Sequence, residues 1–173
     1  MQPNGTTIDS SIYCDIFSTS GMREVWSDQT RIQRYLDVEK ALSVAQGRLG
    51  VIPSEAADEI ARHCNVAEMD FEKLKSATEH IGYPVLPVVQ QLTTVCKSGL
   101  GQWCHWGATT QDITDTATVL QIRSALLLIE RDLKADLLII QHMQTTRVKL
   151  RLDVLVKALN LTSNETITPA PQW

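Results

Sequence analysis

The 173-residue sequence contains few of the residues that interrupt regular secondary structure, with eight glycines and six prolines. Sandwiches and barrels of short strands need many turns rich in these residues, so their scarcity favours helices. The sequence also has little excess charge, with 16 basic and 20 acidic side chains. It therefore offers no overall positive field for nucleic acid or anionic lipid. Hydrophobic residues make up 43% of the chain, which is enough to form a buried core.

Long apolar runs are absent as well. The longest pure run covers residues 125–129, whereas crossing a bilayer takes roughly 18 consecutive apolar residues. The first residues lack the basic and apolar regions of a secretory signal peptide. We therefore expect a cytoplasmic protein without a membrane segment.

The cysteines at positions 14, 64, 96 and 104 show no CxxC spacing. In a long chain without a secretion signal this predicts free thiols. Cys104 stands beside His105, but adjacent residues point to different faces of a helix or strand. A nucleophilic Cys–His pair is therefore disfavoured.

Apolar spacing predicts several helices in the first two thirds of the chain. Positions such as Ile32, Leu36 and Leu49 recur at steps of three and four residues, which indicates one buried helix face. Tyr35, Leu42 and Ala45 belong to the same pattern. Glu39 is the one polar interruption.

Candidate caps divide these helices. Asp28 is expected to cap the first, and Gly50 to take the left-handed position after its end. Pro53 opens a second helix and Asp70 begins a third. A fourth, opened by the prolines of residues 82–87, is expected to end near residues 98–99.

The longest element is expected to begin near Thr110 and to continue to about Thr146 without glycine or proline. About 35 helical residues form a rod of about 50 Å, which so small a chain cannot cover, so the helix needs partner helices.

Residues 1–20 are mostly polar and predict an N-terminal arm. The predicted organisation is therefore an arm, a helical domain at 21–109, a long helix at 110–146 and a loose tail at 147–173.

The chemistry-bearing residues stand immediately before the long helix. A helix N-terminus presents unpaired N–H groups and the positive end of its dipole, and Thr109 and Thr110 add two hydroxyls there. Together they suit a carboxylate or phosphate oxygen. His105, in the same loop, can exchange a proton near neutral pH or donate a hydrogen bond. The alternative is that Thr110 is an ordinary helix cap and His105 a structural loop histidine.

Residues 105–117 read HWGATTQDITDTA. They resemble the His-x-Gly-x-[ST]-[ST]-x-Asp-x-x-[DE]-[ST] segment of the fumarase/aspartase superfamily. Further segments are similar in the same order: MREVWSD at 22–28 and YLDVEKAL at 35–42, LGVIP at 49–53, and GYPVLP at 82–87. The set covers about residues 12–145. It is most similar to 3-carboxy-cis,cis-muconate cycloisomerases, and next to adenylosuccinate lyases.

The resemblance implies an all-α homotetramer whose long helices form a central bundle, with active sites assembled from three chains. It implies a lyase or cycloisomerase that makes or breaks a C–N or C–O bond β to a carboxylate of a small dicarboxylate. No cofactor and no metal are implied. His105 would be catalytic, at the leaving-group side. Thr109 and Thr110 would hold the substrate carboxylate, with Gln111 and Tyr83 as further substrate-binding positions.

The sequence also departs from the family pattern. Tyr83 stands where adenylosuccinate lyases have histidine and cycloisomerases often asparagine, which weakens the purine-substrate alternative. His80, Arg23 and Arg31 are interpreted as solvated helix residues. Beyond Thr146 neither an Arg-Thr-His-x-Gln-type segment nor the loop with the catalytic serine follows. We therefore expect a truncated N-terminal segment, inactive alone; the alternative is a non-catalytic helical fragment that associates with the full-length enzyme.

Overall fold

The computed structural model describes residues 6–7 and 10–142, and this part of the chain contains helices and no strands. The all-α prediction is confirmed. The predicted tail, the end of the long helix beyond residue 142 and parts of the arm lie outside the described residues. The α-helices are α1 (Cys14–Phe17), α2 (Ser20–Val25), α3 (Asp28–Arg48), α4 (Ser54–His63), α5 (Phe71–Ile81), α6 (Val85–Val95) and α7 (Thr110–His142); short 3₁₀ helices cover Val66–Glu68 and Leu100–Trp103.

The chain divides into two compact units, Met1–Leu128 and Ile129–Trp173. The described part of the second unit is the later portion of α7, where Leu133, Leu137 and Ile140 are exposed. Among the described residues, no helix combines the length and the apolarity that crossing a membrane requires.

The core of the first unit is apolar and takes side chains from α3, α4, α6 and α7. Leu36, Ile60, Leu92 and Ile113 are among its fully buried members. Burial removes this apolar surface from water and is the main source of the unit's stability. Because α7 contributes to the same core, its first turns are fixed against the preceding helices.

The buried face of α3 differs from the prediction in its second half. Ile32 and Leu36 are buried as expected, but Leu49 is 80% exposed. The buried face continues instead through Glu39 and Ser43. The prediction was wrong there because it followed hydrophobicity, whereas α3 turns a polar row toward the loop that precedes α7.

The caps of α3 and α5 agree with the sequence to within a residue. Ser27 rather than Asp28 caps α3, since its hydroxyl accepts from the backbone N–H of Thr30 at 3.2 Å. Asp70 caps α5, and Gly50 adopts a φ of 71° after the end of α3. α6 ends at Val95, a few residues before the predicted position.

Candidate functional site

A cavity of about 360 Å³ lies where the start of α7 meets the start of α6. His105, Thr109, Thr110 and Tyr83 line one part of it. Its remaining lining is apolar and consists of Val85, Leu86, Val89 and Ala108. Four of the five predicted site residues therefore meet in one cavity, although Tyr83 is remote from the others in sequence.

The hydroxyls of the two threonines in the cavity are unpaired in the described part of the chain. Thr110 is the first residue of α7, and within the described residues neither its hydroxyl nor that of Thr109 makes a hydrogen bond. In a helix cap, the threonine hydroxyl would accept a hydrogen bond from a backbone N–H. Both hydroxyls are thus available to a ligand, beside the N–H groups of the first turn of α7.

Asp112 limits the positive character of this helix end. Its carboxylate accepts a 2.9 Å hydrogen bond from the backbone N–H of Thr109, as the acidic side chain at the third helical position of a capping box does. That N–H is therefore occupied. An anion in the cavity would bind the two hydroxyls and the N–H groups that follow Thr109.

His105 is held in an unusual conformation by a partner far away in sequence. Its φ of 58° lies in the left-handed region, which costs a non-glycine residue about 1 kcal/mol or more. Its Nδ1 lies 2.6 Å from Oε1 of Glu39, which is fully buried on α3. Burial raises the pKa of Glu39, while the hydrogen bond and the charge of His105 oppose that rise.

A second contact ties α3 to the same loop. The side-chain amide of Gln46 donates a 2.7 Å hydrogen bond to the carbonyl oxygen of Trp106. The rings of Trp103 and Trp106 pack with their centroids 4.8 Å apart. The residue after His105 is thereby tied to α3, and the two rings that flank His105 in sequence pack against each other.

Not every predicted residue belongs to the cavity. The amide of Gln111 donates to Asp115 at 3.2 Å, and Gln111 does not line the cavity. His80 is exposed on α5. Arg23 donates to the carbonyl oxygens of Cys14 and Ser18, so it holds the chain before α2.

Arg31 lines a different cavity, of about 390 Å³, together with Asp28 and Lys75. Arg31 is therefore not among the residues that line the cavity around His105.

Glu39 is the site residue that sequence reasoning missed. Its signal was visible as the one polar side chain in the apolar pattern of α3, but spacing alone did not relate it to His105.

Cys104 does not act with His105. Burial raises the pKa of the Cys104 thiol to about 12, so the thiol is neutral near pH 7. Nδ1 of His105 is turned to Glu39.

Within the described residues, no group of three or more His, Cys, Asp or Glu side chains is arranged to hold a metal ion.

Known proteins align with most of this chain. Trans-aconitate decarboxylase 1 from Mycosarcoma maydis is 56% identical over 129 residues, which are 75% of this chain and 26% of that protein. The 3-carboxy-cis,cis-muconate cycloisomerase of Acinetobacter baylyi is 37% identical, covering 72% of this chain and 29% of its own. An adenylosuccinate lyase from Methanocaldococcus jannaschii is 36% identical, and the alignment covers 68% of this chain and 26% of that protein.

Solved structures agree. The crystal structure of a fumarate lyase from Mesorhizobium sp. BNC1 matches with a TM-score of 0.63 and 49% identity over 66% of this chain and 27% of that chain. The chain belongs to the fumarase/aspartase superfamily. A comparison with models of known protein families found no match.

Membership of the superfamily does not select a substrate. The chain spans about a quarter to a third of the length of the superfamily relatives it matches. Its identity to the trans-aconitate decarboxylase exceeds its identity to the cycloisomerase. The predicted preference for a cycloisomerase therefore has no support from identity.

Proposed function

We propose that the chain supplies the carboxylate-binding part of a lyase or cycloisomerase site for small dicarboxylates. One observation carries the proposal: two threonine hydroxyls without hydrogen-bond partners among the described residues line one cavity with His105, at the N-terminus of a long helix. Among the described residues that line the cavity there is no lysine or arginine. Recognition would therefore rest on hydroxyl and amide donors and on the imidazole.

The reaction needs these donors. Removing a proton from the carbon next to a carboxylate moves negative charge onto the carboxylate oxygens, and the bond to the leaving atom on the neighbouring carbon then breaks to form a C=C bond. Donors already fixed around those oxygens stabilise the charge as it develops. When its ring is also protonated on the nitrogen that faces the cavity, His105 would donate a proton or a hydrogen bond to the leaving atom. The catalytic serine loop, which the superfamily resemblance implies as the base, is not among the described residues of this cavity.

Substrate identity is part of the proposal. A 3-carboxy-cis,cis-muconate-like or other small polycarboxylate would suit a cavity of about 360 Å³ that has both polar and apolar lining residues. An adenylosuccinate-like substrate is the alternative, supported by the lyase relatives. A homotetramer and a cytoplasmic location belong to the same proposal.

Binding is the direct test. Fumarate added to the ¹⁵N-labelled chain should shift the amide signals of Thr109 and Thr110, and uncharged fumaramide should not. Replacing either threonine by valine removes a hydroxyl at nearly constant shape and should weaken fumarate binding about tenfold.

Thr118→Val is the matched control, because Thr118 is exposed on α7 and its hydroxyl bonds to the Thr114 carbonyl. Shifts confined to the Arg31 and Lys75 cavity, or equal effects of all three variants, would contradict the proposal.

Absorbance assays with 3-carboxymuconate and adenylosuccinate test turnover. Activity of this chain alone would contradict the expectation that it is inactive by itself.

A second candidate function rests on a separate observation. In the first unit Val119, Ile122 and Leu126 follow one another on α7 at helical spacing and are exposed. Such a stripe is suited to packing against other helices. As a non-catalytic fragment, the chain would associate with a full-length relative. Co-expression followed by size exclusion with light scattering tests this, and absence of mixed oligomers would reject it.

A further inference from the structure

Glu39 is a fully buried carboxyl group with a single polar partner among the described residues. Its Oε1 lies 2.6 Å from Nδ1 of His105, while its Oε2 is buried and has no hydrogen-bond partner among the described residues. The neighbours of Glu39 on the inner face of α3 include Tyr35 and Leu36. The two partners are separated by 66 residues in sequence.

Such a group is costly for the fold. Taking an ionisable side chain out of water is unfavourable unless it is paired, and an apolar residue of similar size would often stabilise the core as well or better. The position also follows the buried apolar residues Tyr35 and Leu36 on the same helix face, where leucine or methionine would extend their pattern. Glu39 therefore needs an explanation other than stability, and its one polar partner in the described part of the chain is the imidazole that lines the cavity.

The contact with Glu39 constrains the tautomer and the orientation of the His105 ring. A carboxylate that accepts a hydrogen bond from Nδ1–H holds the ring in one tautomer and one orientation. Nε2, which has no hydrogen bond among the described residues, then carries the free lone pair. The left-handed backbone of His105 is consistent with a side chain whose direction is imposed by its surroundings.

We propose that Glu39 is a positioning residue: it holds His105 in the Nδ1–H tautomer, so that Nε2 is the nitrogen that exchanges a proton with a ligand in the cavity. The inference rests on the proposed function for its use, but the state of the ring is measurable without substrate. In the opposite arrangement, a protonated Glu39 would donate to Nδ1, and the neutral ring would carry its proton on Nε2.

Long-range ¹H–¹⁵N spectra of the full chain distinguish the two arrangements. The sequence has four histidines, and a His105→Gln spectrum identifies the His105 signals. We expect the neutral ring to be protonated on Nδ1, with a downfield Nδ1 proton that exchanges slowly with water. A wild-type ring protonated on Nε2 would overturn the proposal, and this measurement needs no variant of Glu39 to fold.

Glu39→Gln removes the charge at nearly constant shape. The ratio of Nδ1–H to Nε2–H tautomers should fall about tenfold, because a charge-assisted bond is replaced by a neutral one. Glu59→Gln is the matched control, since Glu59 is also a buried glutamate paired with a histidine, His63 at 3.3 Å. It should leave the His105 tautomer unchanged. An unchanged ratio in Glu39→Gln, or an equal change in both variants, would reject the positioning role.

Fumarate binding distinguishes failure of the positioning role of Glu39 from failure of the proposed function. If fumarate does not shift the Thr109 and Thr110 amides of the wild type, the proposed function fails while the tautomer result stands. If fumarate binds and the tautomer does not depend on Glu39, the positioning role fails and the proposed function stands.

Discussion

The side-chain amide of Gln121 donates a 2.7 Å hydrogen bond to the carbonyl oxygen of Val25. Gln121 is buried on α7, and Val25 is the last residue of α2. The final carbonyls of a helix have no partner within the helix. One glutamine on α7 thus completes the end of a helix 96 positions earlier in the chain.

Replacing Gln121 by methionine should lower the free energy of unfolding by about 1–3 kcal/mol, because the Val25 carbonyl would remain buried without a donor. Urea denaturation followed by circular dichroism measures the change. Gln29→Met is the matched control, since Gln29 is exposed on α3 and should change stability little. Equal effects of the two variants would show that the hydrogen bond is not stabilising.

Gly101 is predicted to tolerate no side chain. A Cβ there would lie 2.3 Å from the carbonyl oxygen of Thr93, which is backbone and cannot turn away. Gly101→Ala should destabilise the protein by about 1–3 kcal/mol through overpacking.

Gly21→Ala provides the contrast in thermal denaturation. A Cβ at Gly21 meets only Leu128, at 3.5 Å, and alanine favours the helical conformation of α2 by about 0.5–1 kcal/mol. A melting temperature that falls equally in both variants would contradict the contact assigned to Gly101.

The four thiols should differ in reactivity. Burial raises the pKa of both Cys64 and Cys104 to about 12, and burial also raises the pKa of Cys96. Only the thiolate is nucleophilic. With a thiol reagent at pH 8, Cys14, the one cysteine that is not buried, should react first and the other three only after unfolding in urea. Fast reaction of more than one thiol in the native chain would contradict this assignment.

The free energy of unfolding should fall in acid because the Glu59 carboxylate becomes protonated. The backbone N–H of Lys97, which donates to Oε1 at 3.1 Å, is the main cause that lowers the pKa of Glu59 from its ordinary value of 4.5; Arg62 and His63 lower it further. Between the lowered value and 4.5 the unfolded chain binds more protons than the folded one. The stabilisation is therefore present above pH 4.5 and is lost as the pH falls through the lowered value.

Glu59→Gln should be less stable than the wild type at pH 7, and the difference should shrink below pH 4.5. Urea midpoints from pH 7 to pH 3 measure it. Glu79→Gln, at an exposed position of α5, should show no such convergence. A constant difference between Glu59→Gln and the wild type at every pH would contradict the assignment.

Much of the local structure could be predicted because its causes are local. Apolar steps of three and four residues marked α3 and α7, and Asp70 and Gly50 marked helix ends, since caps depend on a few neighbouring residues. The loop at His105 and the threonines after it were identified from their order before a helix. The cap of α3 was misplaced by one residue because Ser27 and Asp28 are both good caps.

The sequence by itself determined that this protein is helical, where its longest helix begins, and which hydroxyls and imidazole precede it, because these features depend on residues a few positions apart. Only the tertiary structure decided that α3 buries Glu39 and Ser43 instead of Leu49, and that Glu39 meets His105 while Gln111 stays outside the cavity. These outcomes depend on which helix faces meet in the core. Packing and the pairing of buried polar groups, rather than periodicity, select those faces.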